Sequence, residues 1–284
     1  MVVRRPSSVV FSYLSVVNKK KIFRWLKVIV IVYCVLGIAL YYLQDKLLFH
    51  PVPVAKDSVY HFQSPFREVN LAFNARSNIN IIEFTTQQSP KGVVLYFHGN
   101  RENISHYAQF APEFTRNGYE VWMLDYPGFG KSTGEFSEQM LYNWALLLYK
   151  LSRTRFSRDS IIIFGKSFGS GIAAQLASVR DTKRLILETP YYSIPSIVAQ
   201  YAPIYPVNAM IKLKIPTHQY LQNVTAPITI FHGTSDWTIW QSNAKRLMTD
   251  FKPGDEFISI KGGSHINLHQ FTLFQEKLDS VLRR

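Results

Sequence analysis

From residue 67 onward, short apolar runs alternate with longer stretches of mixed character. Runs at 67–73, 79–85, 92–98, 119–125, 160–165, 184–189, 227–232 and 256–261 are mostly rich in Val, Ile, Leu and Phe. They are too short for helices and read as strands, most of them buried on both faces. Helical periodicity fills 103–117, 137–152, 168–179, 241–250 and 267–283. Such alternation predicts an α/β fold with a mostly parallel eight-stranded sheet and helices on both faces. No helix separates the first two strands, which predicts an antiparallel hairpin at the sheet edge. Residues 190–226 break the alternation with Pro190, Pro195, Pro203, Pro206, Pro216 and five tyrosines. That is too long for a plain connector, so a short lid insertion above the carboxyl ends of the strands is expected.

The amino-terminal pattern differs. Val28 to Leu43 carries no charge, and Ile22, Phe23, Trp25 and Leu26 precede it. Residues 22–43 together approach the roughly 20 apolar residues that span a bilayer. Arg24 and Lys27 can extend toward headgroups, and Trp25, Tyr41 and Tyr42 suit the two interfaces. The reading is a basic cytoplasmic tail at 1–21, one transmembrane helix at 22–43, a linker at 44–66 and the α/β domain at 67–284. A cleaved signal peptide ending near Ala39 is the rival, but the apolar run continues past that point. The basic flank predicts a single-pass protein, its amino terminus cytoplasmic and its domain on the other side.

Charge changes the picture little. The net charge is +13, and seven of those cations lie in residues 1–27 without an acid among them. Concentration beside the most apolar segment points to a membrane and argues against nucleic acid. The single cysteine, Cys34, excludes an intrachain disulfide and a cysteine-rich metal site. No zinc-type histidine–glutamate helix motif occurs, and the glycine that a P-loop needs is absent at 125 and 160, so neither metal nor cofactor is expected.

The chemistry is carried by Gly165-Lys166-Ser167-Phe168-Gly169, set between a strand and a helix rich in small residues. A G-x-S-x-G turn in that context holds a serine above the sheet at the positive end of a helix. The serine needs a base and the base needs an acid. His265, in Lys261-Gly262-Gly263-Ser264-His265, follows the last strand; His269 competes with it. Asp236, in Phe231-His232-Gly233-Thr234-Ser235-Asp236, is the expected acid, with Glu188 as the alternative. His98, His232 and Asp125 sit beside glycines at strand ends and read as loop-shaping residues. The amides of Phe168 and Asn100 are the candidate donors to an oxyanion.

These motifs resemble the α/β-hydrolase superfamily over about residues 67–284, through HGN at 98–100, DYPGFGKS at 125–132, GKSFGSG at 165–171, HGTSD at 232–236 and GGSH at 262–265. The apolar segment and Leu47-Leu48-Phe49-His50-Pro51 look like the membrane-anchored, depalmitoylase-like branch of α/β-hydrolase domain-containing proteins. The resemblance implies a serine hydrolase acting on a small or lipid-like acyl ester or thioester through an acyl-enzyme. Trp237-Thr238-Ile239-Trp240 departs from the family pattern, which usually has a small or aliphatic residue and a proline there. A serine peptidase or acyltransferase on the same fold, or a catalytically silent anchored binding protein, remain the other readings. Asn103-Ile104-Ser105 and Asn223-Val224-Thr225 are glycosylation sequons, meaningful in a eukaryotic secretory route.

Overall fold

The computed structural model describes residues 19–284, so most of the basic tail expected at 1–21 lies outside the described residues. The chain divides into two units, residues 1–45 and residues 46–284. The first unit holds most of helix α1 (Lys19–Leu48), 30 residues long with a mean hydropathy of 2.3 over its most apolar 18-residue window. Its apolar side chains are largely exposed, and it is long and apolar enough to cross a membrane. The helix extends beyond the expected 22–43 at both ends, because Lys19 to Lys21, Gln44 and Lys46 are good helix formers and no Gly or Pro interrupts either extension.

The second unit is built on an eight-stranded sheet. Its strands are β2 (Phe66–Asn74), β3 (Ser77–Phe84), β4 (Gly92–Phe97), β6 (Tyr119–Leu124), β7 (Ile161–Lys166), β8 (Arg184–Glu188), β9 (Ile228–Gly233) and β10 (Glu256–Ile260). Their spatial order is β10-β9-β8-β7-β4-β6-β3-β2. Strand β3 pairs antiparallel with β2 and with β6, and every other pairing in this sheet is parallel. The central strands β4, β6, β7, β8 and β9 are buried along their whole length, which explains their unbroken apolar runs. Strand β2 at the edge alternates between half-buried and exposed positions over most of its length.

Helices α4 (Glu138–Ser152) and α5 (Phe168–Val179) form as expected, whereas α10 (Thr272–Arg283) starts five residues later than the expected 267, after a 3₁₀ turn at Leu268–Gln270. The stretch 103–117 is instead broken into α2 (Ile104–Tyr107), a 3₁₀ turn and α3 (Ala111–Thr115). Pro112 has no N–H to continue a helix from α2 and sits in the first turn of α3, where none is needed. Asn103 caps α2 by accepting from Ser105 N at 2.8 Å. Residues 190–226 fold into three short helices, α6 (Ile194–Tyr201), α7 (Val207–Met210) and α8 (Thr217–Leu221). Residues 241–250 begin as α9 (Gln241–Lys245) and tighten into a 3₁₀ turn.

The segment that precedes the sheet is stitched to the domain. His50 and Pro51 form a two-residue strand, β1, parallel to β5 (Arg101–Glu102). Val52 O accepts from Gly130 N and from Asn103 Nδ2, at 3.1 and 2.8 Å. Phe49 packs on Phe136 and Phe168, with ring centroids 4.5 and 4.9 Å apart.

Candidate active site

Parallel strands place their carboxyl ends together, and the loops that leave them form one crevice. Ser167 leaves β7, Asp236 follows β9, His265 follows β10, and Gly99-Asn100 follows β4. The structure brings the first three together. His265 Nε2 lies 2.8 Å from Ser167 Oγ, and His265 Nδ1 lies 2.8 Å from Asp236 Oδ2. A carboxylate at Nδ1 fixes that nitrogen as the N–H and leaves Nε2 as the acceptor facing the hydroxyl. The other carboxylate oxygen of Asp236 accepts from the amides of Thr238 and Ile239, at 2.9 and 2.8 Å. Those bonds fix the carboxylate's orientation. His232 is fully buried nearby, with Nδ1 on Gly233 O, and burial pushes its pKa down, so it adds no charge beside Asp236.

The turn that carries Ser167 is strained. Its φ and ψ are 50° and −119°, in a region that side chains seldom occupy. Three features hold it there. Ser167 N donates to Glu188 O at 2.8 Å, and the Ser170 amide and hydroxyl both donate to Ser167 O. Both glycines of the motif are sterically required. A Cβ at 165 would lie 2.6 Å from Ala173 Cβ, and one at 169 would lie 2.1 Å from Phe97 O. Ser167 itself is only 7% exposed, while the His265 side chain is 15% exposed. The base therefore has a solvent-facing side by which a water molecule can approach.

The expected oxyanion donors lie on suitable elements. Phe168 is the first residue of α5, at the end of a helix whose leading amides have no partner within it. A Cβ on Gly99 would be 3.9 Å from Ser167 Cβ, so the loop that carries Asn100 runs directly beside the serine. Asn100 is held from its other side: its Nδ2 donates to Leu48 O, and its carbonyl accepts from His50 N at 3.0 Å.

Glu188 and His269 are not part of this constellation. They bond to each other instead, with His269 Nε2 3.0 Å from Glu188 Oε2. His269 lies in a 3₁₀ turn before α10, not in the helix itself. His98 and Asp125 are fully buried behind the 98–100 loop, where Asp125 Oδ1 accepts from Ile104 N at 2.9 Å. Sequence reasoning missed Tyr201. Its hydroxyl donates to the carbonyls of Trp237 and Thr238, at 2.5 and 2.9 Å, and ties the end of α6 to the Asp236 loop. A lone tyrosine in a proline-rich insertion carries no local signal of that bond. A cavity of about 520 Å³ lined by Gln88, Ser89, Lys91 and Arg116 opens beside the amino-terminal end of β4, remote from this chemistry.

A sheet of this order with a serine on a strained strand–helix turn, facing a histidine–aspartate pair, is the arrangement of the α/β-hydrolase fold. The comparisons agree. Residues 88–220 match the family described as serine aminopeptidase, S33, a span that includes Ser167 and ends before Asp236 and His265. Human protein ABHD12B is 28% identical over 175 residues, covering 55% of this chain and 48% of that protein. Alpha/beta hydrolase domain-containing protein 17C of Xenopus tropicalis is 27% identical over 193 residues, covering 66% and 61%. The chain thus spans between about half and three fifths of the length of these two relatives. Among solved structures, a Pyrococcus furiosus esterase superposes with a TM-score of 0.66 at 15% identity, over 84% of this chain and 98% of that one. The thioesterase domain from the curacin biosynthetic pathway superposes at 0.55 with 17% identity, over 78% and 100%. The chain has the α/β-hydrolase fold and is similar in sequence to the α/β-hydrolase domain-containing proteins.

Proposed function

We propose that the protein is a membrane-anchored serine hydrolase that cleaves an acyl ester or thioester. The observation that carries this reading is the unbroken chain Ser167 Oγ–His265 Nε2, His265 Nδ1–Asp236 Oδ2, both links 2.8 Å. In the first half-reaction Ser167 Oγ attacks the acyl carbon and its proton passes to His265 Nε2. The tetrahedral oxyanion accepts from the amides of Phe168 and Asn100. As it collapses, the bond to the leaving oxygen or sulfur breaks, and His265 returns the proton to that atom. A water molecule then attacks the acyl-enzyme with His265 again as base, releasing the acid and restoring Ser167. Asp236 holds the imidazole tautomer throughout and stabilises the imidazolium. None of these steps calls on a metal or cofactor.

The exposed apolar side chains beside the crevice support an amphiphilic substrate. Trp237 is 80% exposed next to Asp236, and Ile266 is similarly exposed next to His265. The S33 aminopeptidase match supports a second reading, hydrolysis of an amino-acid amide by the same residues. Turnover of a panel of acyl esters, thioesters and amino-acid amides distinguishes the two. Ser167→Ala should leave the fold intact and lower turnover by at least about a thousandfold. Near-normal turnover in that variant would remove the assignment.

The anchor reading takes α1 as a bilayer span with the basic residues on the cytoplasmic side and the domain opposite. The two sequons give it a test. Asn103 is buried as the cap of α2, whereas Asn223 is exposed after α8. Expressed in a eukaryotic secretory system, the chain should carry one removable glycan, abolished by Asn223→Gln and not by Asn103→Gln. A chain without glycan whose domain is digested only after permeabilisation from the cytoplasmic side would reverse the orientation.

A further inference from the structure

Behind the triad lies a second group of buried ionisable side chains that the hydrolytic steps do not use. His269 Nδ1 lies 2.8 and 2.7 Å from the two carboxylate oxygens of Glu113, on α3. Its Nε2 lies 3.0 Å from Glu188 Oε2, at the end of β8, and Glu188 Oε1 pairs with Lys166 Nζ, at the end of β7. The ring is enclosed by Phe110, stacked at 4.1 Å, and by Phe274, edge-on at 4.6 Å. Tyr96 and Tyr107, both buried, complete the titratable groups around the two acids.

Stoichiometry fixes the charge state. An ionised carboxylate only accepts, and a neutral imidazole has a single N–H. A histidine with a carboxylate at each nitrogen satisfies both only as an imidazolium. The four groups then read Glu113 negative, His269 positive, Glu188 negative and Lys166 positive, which is neutral overall. Burial works against the charged forms, but Glu188 and Glu113 together raise the pKa of His269, and His269 and Lys166 hold Glu188 down at about 2.

Three members of this chain, Lys166, Glu188 and His269, adjoin segments that set the triad. Lys166 precedes Ser167 directly, and the Glu188 carbonyl accepts the Ser167 amide. Glu188 therefore grips the strained turn by main chain and side chain at once. His269 follows His265 by four residues, and its carbonyl accepts from Gln275 Nε2 on α10 at 2.7 Å. Across His265, Ser264 N donates to Asn267 Oδ1 at 2.7 Å, which folds the start of the loop that leads to His269. Buried ion pairs recover little net stability once desolvation is counted, so stability alone is a weak reason for three of them in a row. A turn held at positive φ needs its surroundings to over-determine it.

We propose that Lys166–Glu188–His269–Glu113 is a positioning clamp that sets the spacing between Ser167 and His265, with His269 working as an obligatory imidazolium. The clamp touches neither substrate nor reacting atoms. It rests on the serine-hydrolase reading above.

The test uses the full-length protein in detergent, a p-nitrophenyl acyl ester as probe and a fluorophosphonate to count reactive serines. His269→Gln should fold and bind the ester with KM within about twofold. Its kcat per titrated serine should fall by roughly 10- to 100-fold, the scale expected for a displacement approaching 1 Å in an active site. The wild type should lose kcat at alkaline pH as His269 deprotonates, and this limb should be missing from the variant's profile. Glu113→Gln, at the rim of the cluster where the acid is 13% exposed, should be milder. It removes one anion from the ring and so should move the alkaline limb to lower pH. Unchanged kcat and pH profile in either folded variant overturn the clamp. So does a loss that disappears when rates are expressed per titrated serine, which reports only fewer folded molecules. Should His269→Gln fail to fold, Glu113→Gln alone decides. If Ser167→Ala keeps both labelling and turnover, the hydrolase reading fails instead, whatever the His269 variants do.

Discussion

His265 and His269 lie four residues apart on one loop, and each faces a carboxylate, yet their surroundings suit them to opposite work. His265 has Asp236 on one nitrogen and a serine hydroxyl on the other. One ring nitrogen keeps a lone pair and points at a proton that can be removed, and one side of the ring meets solvent. His269 has a carboxylate on each nitrogen and an aromatic ring against it. It has no lone pair to offer and no hydroxyl to act on. A carboxylate partner is therefore not the mark of a catalytic base; the free valence on the opposite nitrogen is. The same contrast separates the two acids. Asp236 receives two backbone amides and one imidazole, whereas Glu188 receives an imidazolium and an ammonium.

The comparison can be broken most directly at the acids. Asp236→Asn should lower kcat by about a thousandfold or more, because the amide can stabilise the wrong imidazole tautomer, with melting temperature nearly unchanged. Glu188→Gln should lower kcat far less, yet cost about 3–5 kcal/mol of stability by leaving Lys166 and His269 buried without their shared anion. Steady-state rates and chemical unfolding on both purified variants check the pair. If Glu188→Gln proves the worse for kcat per active serine, the two acids have exchanged roles.

Stability against pH sharpens the contrast. His269 has a raised pKa, so its contribution is complete below its unfolded value near 6.5 and is lost as pH rises through the higher folded value. Glu188 is depressed to about 2, so its contribution is complete above its unfolded value, about 4.3, and is lost as pH falls toward 2. The gap in melting temperature between wild type and His269→Gln should be widest between about pH 4.5 and 6.5 and narrow on either side. A gap independent of pH would mean that His269 acts by shape alone. The smallest effect belongs to the exposed rim: Trp237→Ala should change stability by less than about 0.5 kcal/mol. It should raise KM severalfold for long-chain esters and leave short ones unaffected. Equal KM changes across chain lengths would detach Trp237 from substrate choice.

Much of this arrangement was readable in the chain. Short apolar runs identified β4, β6, β7, β8 and β9 most plainly, because strands covered on both faces have no polar alternation to confuse with another pattern, whereas β2 and β10 at the edges are mixed. The turn at 165–169 was readable because only glycine fits against Ala173 and Phe97. The order in space was not readable: nothing local to β4 or β6 says that they exchange places beside β7. The split in 103–117 followed from Pro112, whose effect a periodicity argument averages away. The Glu113–His269 pair joins residues 156 positions apart, and a partner at that distance leaves no trace in the neighbouring sequence. Glu188 and His269 each stood out as chemistry-bearing residues, but that they satisfy each other emerges only when β8 and the loop before α10 are packed together.

The stitched segment at 48–54 has a practical consequence for cutting the chain. A soluble fragment begun at the first sheet strand, near residue 66, would keep the entire sheet and all three residues of the hydrogen-bonded chain. It would also remove the acceptor of Asn100 Nδ2, the donor to the Asn100 carbonyl, and the ring that Phe49 lays on Phe168. Both candidate oxyanion donors would lose their backing in one cut. Such a fragment should fold and still present Ser167 while turning over ester poorly. A fragment begun at Lys46 should retain the rate of the full chain, so the useful truncation boundary lies upstream of the sheet by about twenty residues.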